Sequence, residues 1–313
     1  MRKNHFVKHL LWSIVLLSGT IGCHQEPAIP ASGIPQTCQV YSIANVNESV
    51  HDTTFYQYNT FGHVAESIYK QVTSGRLTAS IKQSFTYSAD YFLTTQTEQS
   101  IVYSASGSPT QEIKSYTYAY QDGLLQQVAI TNTQSGQSLG FRLYTYEGGK
   151  LKTYAETNAQ RTPLRSYTYD GSGKLIQFTD SGIAATITNG KITKRTLSDG
   201  QIIEYQFDSQ GQLISEKTTL PASKTERTYT YTYDNRPYWN KTQLLLRGIP
   251  SPDIGGHTFL HNIANSRLVE IQNNRTVRDQ SFTYQYNFNK ANYSTGYSRS
   301  DGFRQRIVYA NCL

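Results

Sequence analysis

Residues 167–178, YTYDGSGKLIQF, set two tyrosines one residue apart, then an aspartate, two glycines and a return to apolar residues. In a strand, residues two apart share a face, so Tyr167 and Tyr169 stand side by side while Ser166, Thr168 and Asp170 point the other way. Tyr and Thr favour such half-buried, pleated positions. Asp170 is placed to accept hydrogen bonds from turn amides, Gly173 to take the positive φ of a tight return, and Leu175 to resume the strand. The stretch reads as one β-hairpin corner.

The corner recurs. An aromatic-x-aromatic triplet, two or three residues, a glycine, any residue and then Leu or Val begins at Tyr56, Tyr118, Tyr144, Tyr167 and Tyr205. Gly62, Gly123, Gly149, Gly173 and Gly211 are thereby turn positions, with Asp170 and Asp208 as turn caps. Turn glycines at 123, 149, 173, 190 and 211 lie 26, 24, 17 and 21 residues apart, which is two strands plus two turns. A loose period of this size marks an array whose units stack on their neighbours. The expected fold is all-β, an extended antiparallel sheet of repeated hairpins, open or partly coiled, forming a single domain over residues 38–313. Between Asn235 and Ser281 the pattern stops, and a short irregular or helical insertion is expected near 236–265. The apolar share is 37% even with 25 tyrosines counted, thin beside the roughly 45–50% of ordinary domains. The tyrosines are therefore expected to supply much of the packing as cross-strand ladders.

The first 23 residues concern destination. Arg2, Lys3 and Lys8 precede an apolar run from Leu10 to Leu17 and the small residues Ser18, Gly19 and Gly22. That run is about half the roughly 20 residues a membrane-crossing helix needs, so residues 1–22 read as a signal peptide. The stretch TIGC resembles a bacterial lipobox, with Thr20 where Leu is usual. The resemblance implies acylation of Cys23 and a membrane partner reached through that anchor; the alternative is an ordinary signal peptide cleaved nearby. Residues 23–37, with Pro27, Pro30 and Pro35, read as a flexible tether. With Cys23 acylated, Cys38 and Cys312 remain, and an exported setting favours their pairing as a disulfide. Loss of the signal's three cations leaves 26 Lys+Arg against 22 Asp+Glu. The excess is small and dispersed, so no nucleic acid partner is expected.

YTYDGSGKL and YQFDSQGQL resemble the YD repeats of Rhs proteins, Tc-toxin shells and teneurins, in which hairpins coil into an extended sheet. A lipoprotein signal ahead of degenerate YD-like hairpins and YTYDNRPYWN is similar to a group of bacterial surface lipoproteins. The resemblance spans roughly residues 55–290 and implies an envelope protein, most simply at the outer membrane. The chain is far too short for an Rhs cocoon and contains no Asp-Pro pair, so toxin encapsulation is not implied.

Chemistry is sparsely marked. Asp122, Asp170, Asp208 and Asp234 recur with the turns, which makes backbone capping their first explanation. His257 and His261 are spaced i, i+4, but no Glu stands at 258 and the flanking glycines and prolines oppose a helix. No metal, cofactor or catalytic residue is assigned. The expected function is a non-catalytic binding module for polysaccharide or envelope protein. The alternatives are a structural envelope scaffold and a hydrolase with its site in 235–280. Exposed tyrosine strips would favour binding, and tyrosines buried in ladders with polar faces outward would favour bracing.

Overall fold

The structure, a computed structural model, describes residues 39–47, 49–104, 108–237, 249–250, 260–290 and 293–310. Cys23, Cys38, Cys312, the signal and the tether lie outside the described residues. Twenty strands follow one another among those described. They are β1 (Gln39–Val46), β2 (Val50–Tyr58), β3 (Val64–Thr73), β4 (Arg76–Tyr87), β5 (Leu93–Val102), β6 (Thr110–Gln121) and β7 (Leu124–Asn132). Then come β8 (Ser138–Glu147), β9 (Lys150–Thr157), β10 (Pro163–Tyr169), β11 (Leu175–Asp180), β12 (Ile183–Thr188), β13 (Lys191–Leu197) and β14 (Ile202–Phe207). The last six are β15 (Leu213–Leu220), β16 (Thr225–Pro237), β17 (His261–Gln272), β18 (Arg275–Phe288), β19 (Ser294–Arg299) and β20 (Arg304–Ala310). A single 3-10 turn at Pro221–Ser223 joins β15 to β16.

The fold is all-β and antiparallel. Apart from β11 and β12, each strand pairs with its neighbours in sequence, and β1 pairs with both β2 and β20, with Gln39 opposite Ala310. The first and last strands thus close the array into a nearly complete barrel. The interruption falls at β11 and β12, which touch without a paired register among the described residues. At that corner Gly182 already belongs to the β12 ladder, since Ser198 N donates to its carbonyl at 2.9 Å. Ser181 and Gly182 join the two strands, and Gly182 N donates to Asp180 Oδ1 at 2.9 Å. β18 makes the second transition differently, pairing with β17 through Thr283 and with β19 from Tyr284 onward.

Twenty strands spaced about 4.8 Å apart make a circumference of roughly 95 Å, and Ile249, from the connection between β16 and β17, packs against the buried face. The buried layer runs along the wall. Leu125, Val128, Tyr144, Tyr154, Tyr167, Tyr169, Leu175, Ile192, Tyr205 and Leu213 form one continuous cluster across β7 to β15. Curvature crowds side chains on the concave side, so this aromatic face is the inner one. The alternate residues form the outer face, as with Thr145, Thr168, Thr186, Glu204, Thr230 and Thr232.

The insertion expected near 236–265 is shorter than the sequence suggested. β16 continues to Pro237 and β17 starts at His261, so residues 261–265 are strand; residues 238–248 and 251–259 lie outside the described residues. The hairpin of β17 and β18 escaped the pattern because its turn, Asn273–Asn274, contains no glycine. Both asparagines adopt the left-handed region, with φ of 50° and 63°, which Asn tolerates better than most residues.

Candidate functional site

The repeated corners divide into two kinds that one sequence pattern had merged. Asp122–Gly123, Gly148–Gly149 and Asn189–Gly190 are two-residue turns with positive φ at both positions, the conformation whose twist matches flanking strands. Gly62, Gly173 and Gly211 instead sit fourth in five-residue loops headed by Asn59, Asp170 and Asp208. Asp170 Oδ1 accepts from Ser172 N at 2.8 Å, Ser172 Oγ at 2.7 Å and Lys174 N at 2.9 Å. Those bonds, the Ser172 hydroxyl first, hold the Asp170 carboxyl below the usual carboxylate range. Asp208 Oδ1 accepts from Gln210 N and Gln212 N, each at 2.9 Å, and Asn59 Oδ1 serves Phe61 N and His63 N. Asp122 takes the left-handed turn position instead, with φ 51°. Two loops of the five-residue kind place Tyr91 and Arg161 where the others have glycine, at φ 65° and 62°.

Four tyrosines, Tyr58, Tyr87, Tyr146 and Tyr233, fasten their corner to an earlier one. The second aromatic of the triplet lies opposite the post-glycine apolar residue of its own hairpin, as Tyr146 lies opposite Leu151. Its hydroxyl donates to the backbone carbonyl of the corresponding residue one hairpin earlier. Tyr146 reaches Leu125 O at 2.8 Å, Tyr87 reaches Val64 O at 2.7 Å, and Tyr233 reaches Leu213 O. Tyr58 does the same to Val40 O at 2.8 Å, and burial pushes its hydroxyl up to about 12. The hydroxyl bridges repeats at these four positions, whereas Tyr120 Oη is buried without a hydrogen-bond partner and Phe207 has no hydroxyl to offer.

Midway along β8 to β11, two rungs of side chains cross the inner face. Tyr144, Tyr154, Tyr167 and Phe178 lie in register, with ring centroids 5.1, 5.6 and 5.1 Å apart. Two residues further along each strand, on the same face, stand Arg142, Glu156, Arg165 and Asp180. Arg165 Nε donates to Asp180 Oδ2 at 2.7 Å, and Tyr154 donates to Glu156 Oε1 at 2.7 Å. Toward β3 the inner polar groups form a relay: Ser67 Oγ donates to Gln83 Oε1 at 3.0 Å, and Gln83 Nε2 to Glu98 Oε2 at 2.9 Å. Glu98 is 6% exposed. Tyr118 donates to Gln96 Oε1 at 2.8 Å.

The charged row is what sequence reading missed. Its members occupy strand positions two before or two after an aromatic, a spacing visible in RLYTY and RSYTY, but the turn pattern drew attention to the other end of each strand. Of the residues weighed for chemistry, Asp234 Oδ1 accepts from Arg236 N at 2.9 Å and its Oδ2 from Asn262 Nδ2 at 3.3 Å. His261 stands at the start of a strand, its backbone N donating to Gln212 Oε1 at 3.1 Å; His257 lies outside the described residues. Among the described residues no three His, Cys, Asp or Glu are grouped to hold a metal ion.

No protein-family model matches the chain. A segment of the tRNA3(Ser)-specific nuclease WapA of Bacillus spizizenii is 27% identical over 224 residues, which is 64% of this chain and 9% of that protein. The chain therefore spans less than a tenth of that relative. Among solved structures, a porin-like protein from Bacteroides uniformis aligns over 87% of this chain and 98% of its own, at 14% identity and TM-score 0.36. TcdB2-TccC3 without its hypervariable C-terminal region aligns over 82% of this chain and 14% of its own, at 12% identity and TM-score 0.40.

Proposed function

We propose that the chain is an exported, lipid-anchored envelope protein of the YD-repeat kind, acting as a non-catalytic structural scaffold. One observation carries this reading: the tyrosines are spent inside the wall. Tyr144, Tyr154, Tyr167, Tyr169 and Tyr205 are all below 8% exposed, while the opposite face presents Thr, Lys and Glu. That disposition favours bracing over capture of polysaccharide or protein on an exposed aromatic strip. The outer face carries exposed Thr145, Thr186, Glu204 and Thr230 among scattered apolar residues such as Ile176 and Val277, whereas a barrel that crosses a bilayer shows an apolar band there. Membrane attachment then falls to an acyl group on Cys23, most simply at the outer membrane. The hydrolase alternative places its site in residues 235–280, of which 238–248 and 251–259 lie outside the described residues.

The test uses the exported full chain and its Cys23→Ala variant. Metabolic labelling with a fatty-acid analogue should mark the wild type alone, and the variant should leave the membrane fraction. Equal labelling of both removes the anchor. The released variant, applied to an array of neutral glycans, should show no retention; saturable retention on one neutral glycan class would return the binding-module reading in place of the scaffold.

A further inference from the structure

Arg142 is the one member of the inner charged row whose guanidinium has no ionic partner. Arg165 is paired with Asp180, and Glu156, though in register with Arg142, takes the Tyr154 hydroxyl and forms no ion pair with Arg142. The contact Arg142 does make is with the Tyr116 ring, 5.8 Å from its centroid. An arginine never discharges in a protein, and a partly buried charge without a partner is costly. Two residues on, along the same face, Tyr144 is 6% exposed and its hydroxyl bonds to no side chain or carbonyl. The neighbouring hydroxyls are committed, Tyr118 to Gln96 and Tyr154 to Glu156. Among the described residues these two adjacent donors, one of them cationic, have no acceptor. Across β13–β14, Arg195 lies 5.9 Å over the Tyr205 ring with its Nε buried and without a hydrogen-bond partner, but a side-chain hydrogen bond to Tyr205 leaves this guanidinium partnered.

We infer that Arg142 and Tyr144 form an oxoanion-binding site on the inner wall, taking a carboxylate, sulfate or phosphate group from a ligand inside the barrel. The guanidinium fork matches two oxygens of such a group, and the phenol supplies a third donor. Tyr116 backs the guanidinium as a cation–π partner. Glu156 stands beside the site and opposes a second negative charge, which favours a single oxoanion over a densely charged chain. The site goes beyond the scaffold reading and does not depend on the lipid anchor.

The Nε–Hε resonance of Arg142 in the released full chain reports on the site directly. It should shift saturably on titration with inorganic sulfate, with sodium acetate, or with a galacturonate oligomer at constant ionic strength. A free ion as source predicts that sulfate binds at least as tightly as the oligomer, and a saccharide-borne carboxylate predicts the oligomer tighter than acetate. Tyr144→Phe keeps the ring and should weaken binding about tenfold, as expected for loss of a hydrogen bond to a charged group. Arg142→Met should abolish it and, in anion-free buffer, raise the melting temperature by roughly 2–4 °C, because it removes an uncompensated charge. A non-saturating shift in the wild type, or a fall in melting temperature for Arg142→Met, would overturn the inference, the latter by making Arg142 a structural brace.

Discussion

Gly140, like Gly296, is among the most demanding positions in the wall, and replacing it by alanine should be costly for so small a change. It lies within β8 at φ +146°, and a Cβ built there would stand 2.1 Å from the carbonyl oxygen of Thr157 and 3.2 Å from its carbon. Relieving that overlap means moving backbone by about 1 Å. Thr157 cannot yield freely, since it pairs with Phe141 on one side and Pro163 on the other. Strain of about 1–3 kcal/mol for an unfavourable backbone and about 1 kcal/mol for a lost ladder hydrogen bond together give about 3 kcal/mol. Gly75 supplies the control, having φ +78° but nothing within 4 Å of a built Cβ. Gly75→Ala should therefore cost only the left-handed penalty, about 1 kcal/mol. Urea unfolding followed by far-ultraviolet circular dichroism should place the Gly140→Ala midpoint well below that of Gly75→Ala. Equal midpoints would show that β8 and β9 do not approach as described.

Three further outcomes follow from the same wall. Tyr146→Phe removes the hydroxyl that reaches Leu125 O and should cost about 1 kcal/mol by denaturation, whereas Thr145→Val, on the exposed face, should cost almost nothing; equal effects would dissolve the bridge between repeats. Stability should fall as pH rises from about 10 to about 12: burial holds Tyr56, Tyr120, Tyr144 and Tyr167 up to about 12, while unfolded tyrosines ionise near 10, so an alkaline melt series that stays flat over that window would refute the burial. Cys38 adjoins Gln39 and Cys312 lies two residues past its partner Ala310, so non-reducing mass spectrometry of the exported protein should recover a Cys38–Cys312 linked peptide; free thiols at both positions would remove the bond.

The hairpin corners were legible in the sequence because a turn needing positive φ leaves a residue-level mark: Gly173 and Gly211 after their capping aspartates, Gly123 and Gly149 after their aromatic triplets. The Asn273–Asn274 turn was not, since asparagine fills the same conformation without the glycine signature. Tyr91 and Arg161 hide loops of the Gly173 kind for the same reason, each having its ring contact, with Phe61 at 5.0 Å and Phe141 at 4.4 Å. Gly140 and Gly296 were invisible for the opposite reason. They are glycines without a turn, required by a neighbouring carbonyl, Gln305 O in the case of Gly296 at 2.0 Å from a built Cβ. Nothing local to either residue announces a strand that is distant in sequence. The Arg142–Tyr144 pair shares this limit: RLYTY reads as strand, but whether the arginine finds a partner depends on registers across β7, β8 and β9.

Closure of the barrel is likewise a property that no hairpin contains. Successive strands meet through short turns, so each local pairing costs little loop entropy, and an array of this kind can nucleate in any hairpin and extend along its neighbours. β1 with β20 is different, because it joins residues more than 250 positions apart and must wait until the wall has curved far enough to meet itself. Its register is nonetheless continuous from Ser42 to Val46 against Val308 to Arg304, and Gln305 Nε2 donates to Asn45 Oδ1 at 3.0 Å across it. Asn45 in turn donates to Asp52 Oδ1 at 2.8 Å, so the polar row on the inner face crosses the junction of the two chain ends without a break. The barrel's remaining gap lies half a circumference away, at β11 and β12, which Ser181 and Gly182 connect. A wall with one unpaired seam and one long-range closure can tolerate either fault singly, since the sheet stays connected through the other. Loss of the β1–β20 pairing would leave two unpaired edges at the ends and a third discontinuity midway, the arrangement most exposed to edge-to-edge association.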